Sequence, residues 1–292
     1  MPTRDKVYIF DISGFIHRSF HTNLGLQTSY GMPTGSIFGT LSMMLRFIEK
    51  YHPTHLLICY DAQTPKSIRK DIYPPYKANR VKVEAVSQEE RIVRRFFELL
   101  SLPAVELEGY EADDLIATAT NKLKASMDVV VVTGDKDMLQ LVEPGVQVFD
   151  PMKNIWYDEE EAQKKFGVRA NQIADYLALA GDTADNIPGA AGIGPKAAAD
   201  LLSRYQDVEE ILNMILSSSP EKKYQEKLLK SKDTILVSKL LTTLFDNLPI
   251  KVTAESTQFK PKDNPEIYPL LEKLEFKSLG IKIELMWQAY SG

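Results

Sequence analysis

The sequence predicts an α/β fold: a mostly parallel central sheet flanked by helices, followed by a helical subdomain. Three observations carry this. Strand-like and helix-like segments alternate through the first half, the pattern of βαβ units. The strands are near-continuous apolar runs such as Asp128–Thr133 (DVVVVT), as expected when both sheet faces are covered. From about Asn171 the periodicity becomes mainly helical. The expected organisation is an α/β core over 1–170 with an irregular insertion at about 63–88, a helical subdomain over 171–262, and a tail over 263–292 packing on the core.

In order, Lys6–Asp11 (KVYIFD) is β-branched and aromatic and reads as a buried strand. Ile37–Tyr51 has helical spacing, His55–Asp61 (HLLICYD) is a second strand, and Glu89–Leu100 is helical. Pro103–Glu106 is a short strand, Glu111–Lys124 a helix, and Asp128–Thr133 the third strong strand. Residues 62–88 lack clean periodicity; Pro65, Pro74 and Pro75 interrupt them, and Lys66, Arg69, Lys70, Lys77, Arg80 and Lys82 are interleaved with Tyr73 and Tyr76. So long an irregular insertion in a compact domain is usually functional. The second half reads as helices in NQIADYLALAG, KAAADLLSRY, VEEILNMIL, KYQEKLLK and TILVSKLLTTLF, then a short strand (IKVTA) and a helix near Tyr268–Leu274.

The 292 residues are 44% hydrophobic and 26% charged, which excludes disorder as the main state. A single cysteine, Cys59, excludes an intrachain disulfide framework and a Cys-rich zinc site. No apolar run approaches the roughly 20 residues that span a bilayer, and Asp5 and Asp11 interrupt any signal peptide, so the expectation is a cytoplasmic protein without membrane contact. The net charge of −5 argues against a nucleic-acid binder if the charge is evenly spread. Setting nine acids aside in one site leaves 31 against 35 bases, which reverses the sign.

Those nine are the candidates for chemistry. Asp11, Asp61 and Asp135 stand at the carboxyl ends of the three best strands, where open parallel sheets place their sites. Glu111, Asp113 and Asp114 open a helix, Asp137 follows Asp135 by two residues, and Asp182 and Asp185 share a short loop. Any one of them alone reads as a helix cap or a helix-dipole partner. Gathered together they would repel, by roughly 3 kcal/mol for a pair about 5 Å apart at an effective dielectric near 20. Divalent cations would make the cluster tolerable, and an all-oxygen ligand set favours Mg²⁺ or Mn²⁺ over zinc. Two such ions can hold a phosphodiester and activate water.

Other motifs fail. Gly192–Ala197 fits GxGxxA but lacks a preceding strand, and Pro195 spoils a P-loop reading of the same segment. A Gly-rich hairpin between two helices remains, either gripping a nucleic-acid phosphate through its N–H groups or serving as a plain helix–helix turn; spacing does not choose between them. His17 and His21 have no surrounding HExxH, and SMMLRF reads as core.

The motifs FDISGFIHRSFH, YDAQTPKSIRKDIYPPYKANR, GYEADDLIAT, TGDKDMLQLV and GDTADNIPGAAGIGPKAAADLL together resemble the 5′-nuclease domain of bacterial DNA polymerase I, in the flap endonuclease superfamily. The likeness runs from about Lys6 to Lys277. It implies that Asp11, Asp61, Glu111 and Asp113 surround one metal ion, and that Asp114, Asp135, Asp137, Asp182 and Asp185 surround a second, some through water. It implies that Arg18, Lys77 and Arg80 contact the reacting phosphate and that Pro65–Ser87 forms a helical arch threaded by a 5′ single strand, with Arg69 and Tyr76 among the DNA contacts. Gly189–Leu202 would be a helix-hairpin-helix-type element gripping duplex backbone through Gly192, Gly194 and Lys196, and binding K⁺ through carbonyls.

The expected function is therefore a two-metal 5′–3′ exonuclease and flap endonuclease acting on DNA with 5′ ends, flaps or nicks in replication and repair, near the bacterial nucleoid and with a DNA polymerase as a candidate partner. The alternatives are a branched-DNA binding module with little turnover and a PIN-type ribonuclease. Retention of all nine acids argues against the first, and the insertion and Gly hairpin against the second.

Overall fold

A computed structural model describes residues 4–64, 66–80, 84–216 and 224–290. Strand β1 (Lys6–Asp11) runs directly into helix α1 (Ile12–Thr22). Then come α2 (Gly35–Tyr51), β2 (His55–Cys59), α3 (Ile68–Ile72), α4 (Glu84–Leu99), β3 (Ala104–Val105), α5 (Ala112–Leu123) and β4 (Asp128–Val132). A 3₁₀ turn (Asp137–Leu141), β5 (Val146–Asp150), β6 (Ile155–Tyr157) and α6 (Glu159–Phe166) complete the first part. The second part holds α7 (Ile173–Ala180), α8 (Pro195–Leu202), α9 (Val208–Leu216), α10 (Gln225–Lys230), α11 (Lys232–Thr242), α12 (Ile267–Lys273) and α13 (Lys277–Tyr290).

The six strands lie in the order β3-β2-β1-β4-β5-β6, all parallel except β6. Alternation along the strands divides the core in two. Val7, Ile9, Leu57, Val129 and Val131 face α5 and the second-half helices. Tyr8, Phe10, Leu56, Ile58, Val130 and Val132 face α1, α2, α4 and the last two helices, with Phe47 edge-on to both Tyr8 and Phe10. The chain winds from β1 outward to β3, then returns to the other side of β1 for β4 and β5, so the crevice between β1 and β4 is the topological switch point, where such sheets bind ligands.

Several expectations need correction. The insertion is not wholly irregular: it contains α3, capped by the Ser67 hydroxyl on the Lys70 N–H, and α4 begins at Glu84 rather than Glu89. Five residues are too few to show a helical period. Pro65 and 81–83, which include Lys82, lie outside the described residues. β5 and β6 form a hairpin that the alternation pattern did not flag, and α1 was likewise unread. Ile250–Ala254 forms no strand; the segment buries Ile250 and Val252 and pairs with no other strand among the described residues.

Candidate metal and nucleic-acid site

The carboxyl ends of the strands open into a cleft of about 650 Å³. Asp11, Asp61, Asp113 and Asp135 line it together with Arg18, Lys77 and Arg80. Asp11 caps α1: its Oδ1 accepts from the Gly14 N–H at 3.0 Å and its Oδ2 from the Thr133 hydroxyl at 2.8 Å. A Cβ at position 14 would collide with this carboxylate, so glycine is required there. Asp61 Oδ1 accepts from the Ala112 N–H at 2.7 Å, which ties the end of β2 to the start of α5 and sets Asp113 into the cleft. Asp135 Oδ1 accepts from the Asp137 N–H at 2.9 Å.

The acids are poorly compensated. Burial pushes the Asp11 carboxyl up to about 6, against the lowering effect of its two hydrogen bonds, with Asp61 and Asp135 adding repulsion. Burial, then Asp11 and Asp135, push Asp113 well above the carboxylate range. Burial and Asp135 push Asp137 up to about 8, and its buried Oδ1 has no hydrogen-bond partner among the described residues. Desolvated, mutually repelling oxygens are what a hard divalent cation satisfies, so the donor set fits such an ion. Among the described residues, no three acids or imidazoles stand ready-made in a metal-holding arrangement. Lys77 accounts for part of this. Its ammonium sits 2.9 Å from Glu111 Oε2 and 3.6 Å from Asp185 Oδ2, and Arg80 also pairs with Asp185. Burial alone would depress the Lys77 ammonium, but Glu111, Tyr76 and Asp185 hold it well above its ordinary range. The same cation, joined by Arg69, keeps Glu111 below the usual carboxylate value in spite of its burial.

Three predicted site residues have other duties. Asp114 is fully buried and faces away from the cleft: its oxygens take both arms of the Arg69 guanidinium, at 2.6 and 2.7 Å, plus the N–H groups of Phe245 and Glu111. Its lone pairs are used, so it is not a free metal ligand. Arg69 is buried with it and also donates to the carbonyls of Leu241 and Thr243, so it cannot reach DNA. Tyr76 is buried as well, its hydroxyl donating to Glu111 Oε2 at 2.9 Å; it supports that acid instead of stacking on a base.

The turn that follows docks on the Asp182–Ile187 loop. The Lys77 N–H donates to the Asp185 carbonyl, Asn79 to the Thr183 carbonyl, and Asn186 back to the Pro75 carbonyl. The two asparagines escaped the sequence reading because their partners lie about 100 residues away. Asp182 is buried, its Oδ1 accepting from the Ala184 N–H, with Lys136 at 3.9 Å.

A basic wall also lines the cleft: Lys136, Lys153 and Lys165 stand in it with Arg18, His17 and His21. Only Arg18 was foreseen. Gly192 and Gly194 lie in the turn between α7 and α8, which Ala190 N–H to Leu179 carbonyl and Ala191 N–H to Ser231 hydroxyl bonds hold down. Gly192 has φ of 76°, and the Lys227 ammonium donates to its carbonyl at 3.1 Å. Beside Gly194 is open space, and Lys196 is exposed.

A mostly parallel sheet thus carries acids across its carboxyl edge, in a cleft that basic side chains also line. Residues 6–167 match the family described as 5′-3′ exonuclease, N-terminal resolvase-like domain, and residues 168–265 match 5′-3′ exonuclease, C-terminal SAM fold; the chain belongs to the 5′-3′ exonuclease family. A 5′-3′ exonuclease of Aquifex aeolicus is 37% identical over 287 residues, covering 98% of this chain and 97% of the relative. DNA polymerase I of Caldicellulosiruptor bescii is 38% identical over 285 residues, covering 94% of this chain, which spans only 33% of that relative. Among solved structures, T5 5′-exonuclease with bound zinc shares the fold at TM-score 0.69 and 23% identity, covering 82% of this chain and 90% of the other. The flap endonuclease of Methanococcus jannaschii shares it at TM-score 0.61 and 16% identity, covering 99% and 93%.

Proposed function

We propose that this member of the family is a divalent-metal-dependent nuclease that hydrolyses DNA phosphodiesters near 5′ ends and flap junctions, leaving a 5′-phosphate and a 3′-hydroxyl. One observation carries the reading: buried, under-compensated carboxylates on Asp11 and Asp113 share a cleft with Arg18, Lys77 and Arg80, and a third, on Asp137, lies just behind the cleft-lining Asp135. Asp11, Asp61, Glu111, Asp113, Asp135, Asp137, Asp182 and Asp185 would hold Mg²⁺ or Mn²⁺, with Asp114 acting behind them. When bound, two such ions polarise the phosphodiester and activate water for in-line attack.

The remaining work falls to the chain. Lys77 and Arg80 stand at the acid cluster and line the cleft, where they offset charge that grows on the phosphate in the transition state. Asp61 holds the start of α5, and with it Asp113, against the sheet. The basic wall gives a polyanion somewhere to lie beside a group of acids. The turn at Gly192–Lys196 meets duplex backbone, a contact that positions without reading bases.

The test is cleavage of an end-labelled 5′-flap duplex with Mg²⁺ or with EDTA, and mapping of the cut. Metal-dependent incision within a few nucleotides of the junction is expected. Intact flap in Mg²⁺, or equal cutting in chelator, would overturn the proposal.

A further inference from the structure

Of the buried acids without a part in that chemistry, among them Glu89 and Asp175, Asp150 is the one that lines the cleft. Asp150 ends β5, in line with the other strand-end acids, and its carboxylate is buried. Its Oδ1 accepts from the N–H groups of Met152 and Lys153, at 3.0 and 3.2 Å. Its Oδ2 holds the Lys153 ammonium at 3.0 Å, and the Arg18 guanidinium lies 4.0 Å from Oδ1, just within ion-pair range. Both cations are partly exposed and line the cleft, so each keeps donors free for an anion. Arg18 has a second support. It lies against Gly134, where any Cβ would fall inside the guanidinium. One buried anion between two open cations leaves a net positive pair of fixed spacing, the arrangement that recognises a phosphate.

We propose that Lys153 binds the backbone phosphate next to the reacting one, and that Asp150 is a positioning residue that holds Arg18 and Lys153 as a clamp in the same cleft as Lys77. This rests on the nuclease reading for its substrate. The plain alternative is that Asp150 only closes the β5–β6 turn through its two N–H acceptor bonds.

Asp150→Asn separates the two, because the amide oxygen can still accept both N–H groups while the charge is lost. As a turn residue alone it would leave the rate unchanged and tighten DNA binding, since one negative charge is removed. As a positioning residue it should slow single-turnover flap cleavage at saturating DNA by about ten-fold, and the Arg18→Ala/Asp150→Asn double variant should be no slower than Arg18→Ala alone. Gly134→Ala, which displaces Arg18 without removing its charge, should behave as Asp150→Asn does. Independently of cleavage, Lys153→Ala should flatten the slope of log affinity against log salt by about one unit in EDTA. Lys153 is exposed, so this variant keeps the fold. An unchanged slope for Lys153→Ala, or additive losses in the Arg18/Asp150 pair, would overturn the clamp. If the native protein cuts no flap DNA but the slope loss is present, the nuclease reading fails and the phosphate site stands.

Discussion

Arg69 and Asp114 offer the sharpest separation of structure from chemistry. Asp114→Asn would remove one charge from a pair that is almost solvent-free, the side chains being 4% and 0% exposed. The guanidinium would keep its carbonyl partners Leu241 and Thr243 but lose its counter-charge, and an amide in place of the carboxylate would present an N–H₂ group to it or to the Phe245 N–H. Breaking one side of a buried pair typically costs about 3–5 kcal/mol. No solvent discount applies at this depth. With roughly 2–4 °C lost per kcal/mol in a protein of this size class, the melting midpoint should fall by about 6–20 °C. The pair joins α3 and α5 to residues 241–245, so the loss should loosen the seam between the two family segments. Replacing both residues by apolar ones, Arg69→Met with Asp114→Leu, should cost less than the two single changes summed. Calorimetry and Mn²⁺ titration on the same samples check this: stability should drop while metal stoichiometry at low temperature holds. A midpoint unchanged to within about 2 °C together with loss of a bound ion would refute the reasoning and return Asp114 to the metal site.

Three further outcomes follow from the same geometry. Asp11 and Asp137 have native values raised to about 6 and about 8, so the folded state binds more protons than the unfolded one above about pH 4; metal-free stability should fall as pH rises from 4 to 8, and Mg²⁺ affinity should rise over pH 6–8 as those protons leave, measurable by thermal scans and titration calorimetry at several pH values. Lys77→Ala should lower the single-turnover rate at saturating DNA by about 10²-fold or more, the scale of a lost electrostatic stabiliser, whereas a change in affinity alone would make it a steering charge. Gly194→Val should fold normally, given the open space beside it, yet weaken duplex binding regardless of sequence; Lys196→Ala should reduce the duplex salt slope by about one unit, and equal losses on single strands would make the segment a plain turn.

The strands were legible because a parallel sheet covered on both faces writes itself as unbroken apolar runs, and Lys6–Asp11 and Asp128–Val132 show them. β5 was not, because Gln147 and the nearby Pro144–Gly145 break its run (VQVFD), and only pairing with Val129–Val132 makes it a strand. With it went Asp150 and the basic wall. Helix α1 hides because it starts with no loop after β1, on a Ser-Gly pair. The acids announced a shared site by position, but not which way each one faces. Asp113 and Asp114 are neighbours about 100° apart around a helix, so only one can look into the cleft. What decides is Arg69, 45 residues upstream, which claims Asp114. Arg69 and Tyr76 looked like DNA contacts because their segment is basic and aromatic; their burial depends on the distant Leu241–Phe245 stretch, which no local pattern reveals.

Mn²⁺ binding followed by electron paramagnetic resonance at pH 8 tests most directly which acids hold the ions. The native chain should bind two ions, Asp113→Asn and Asp135→Asn should each lose at least one along with flap cleavage, and a folded Asp114→Asn protein should keep both. Undiminished Mn²⁺ binding in the Asp113→Asn and Asp135→Asn variants would contradict a cation site at the carboxyl edge of the sheet.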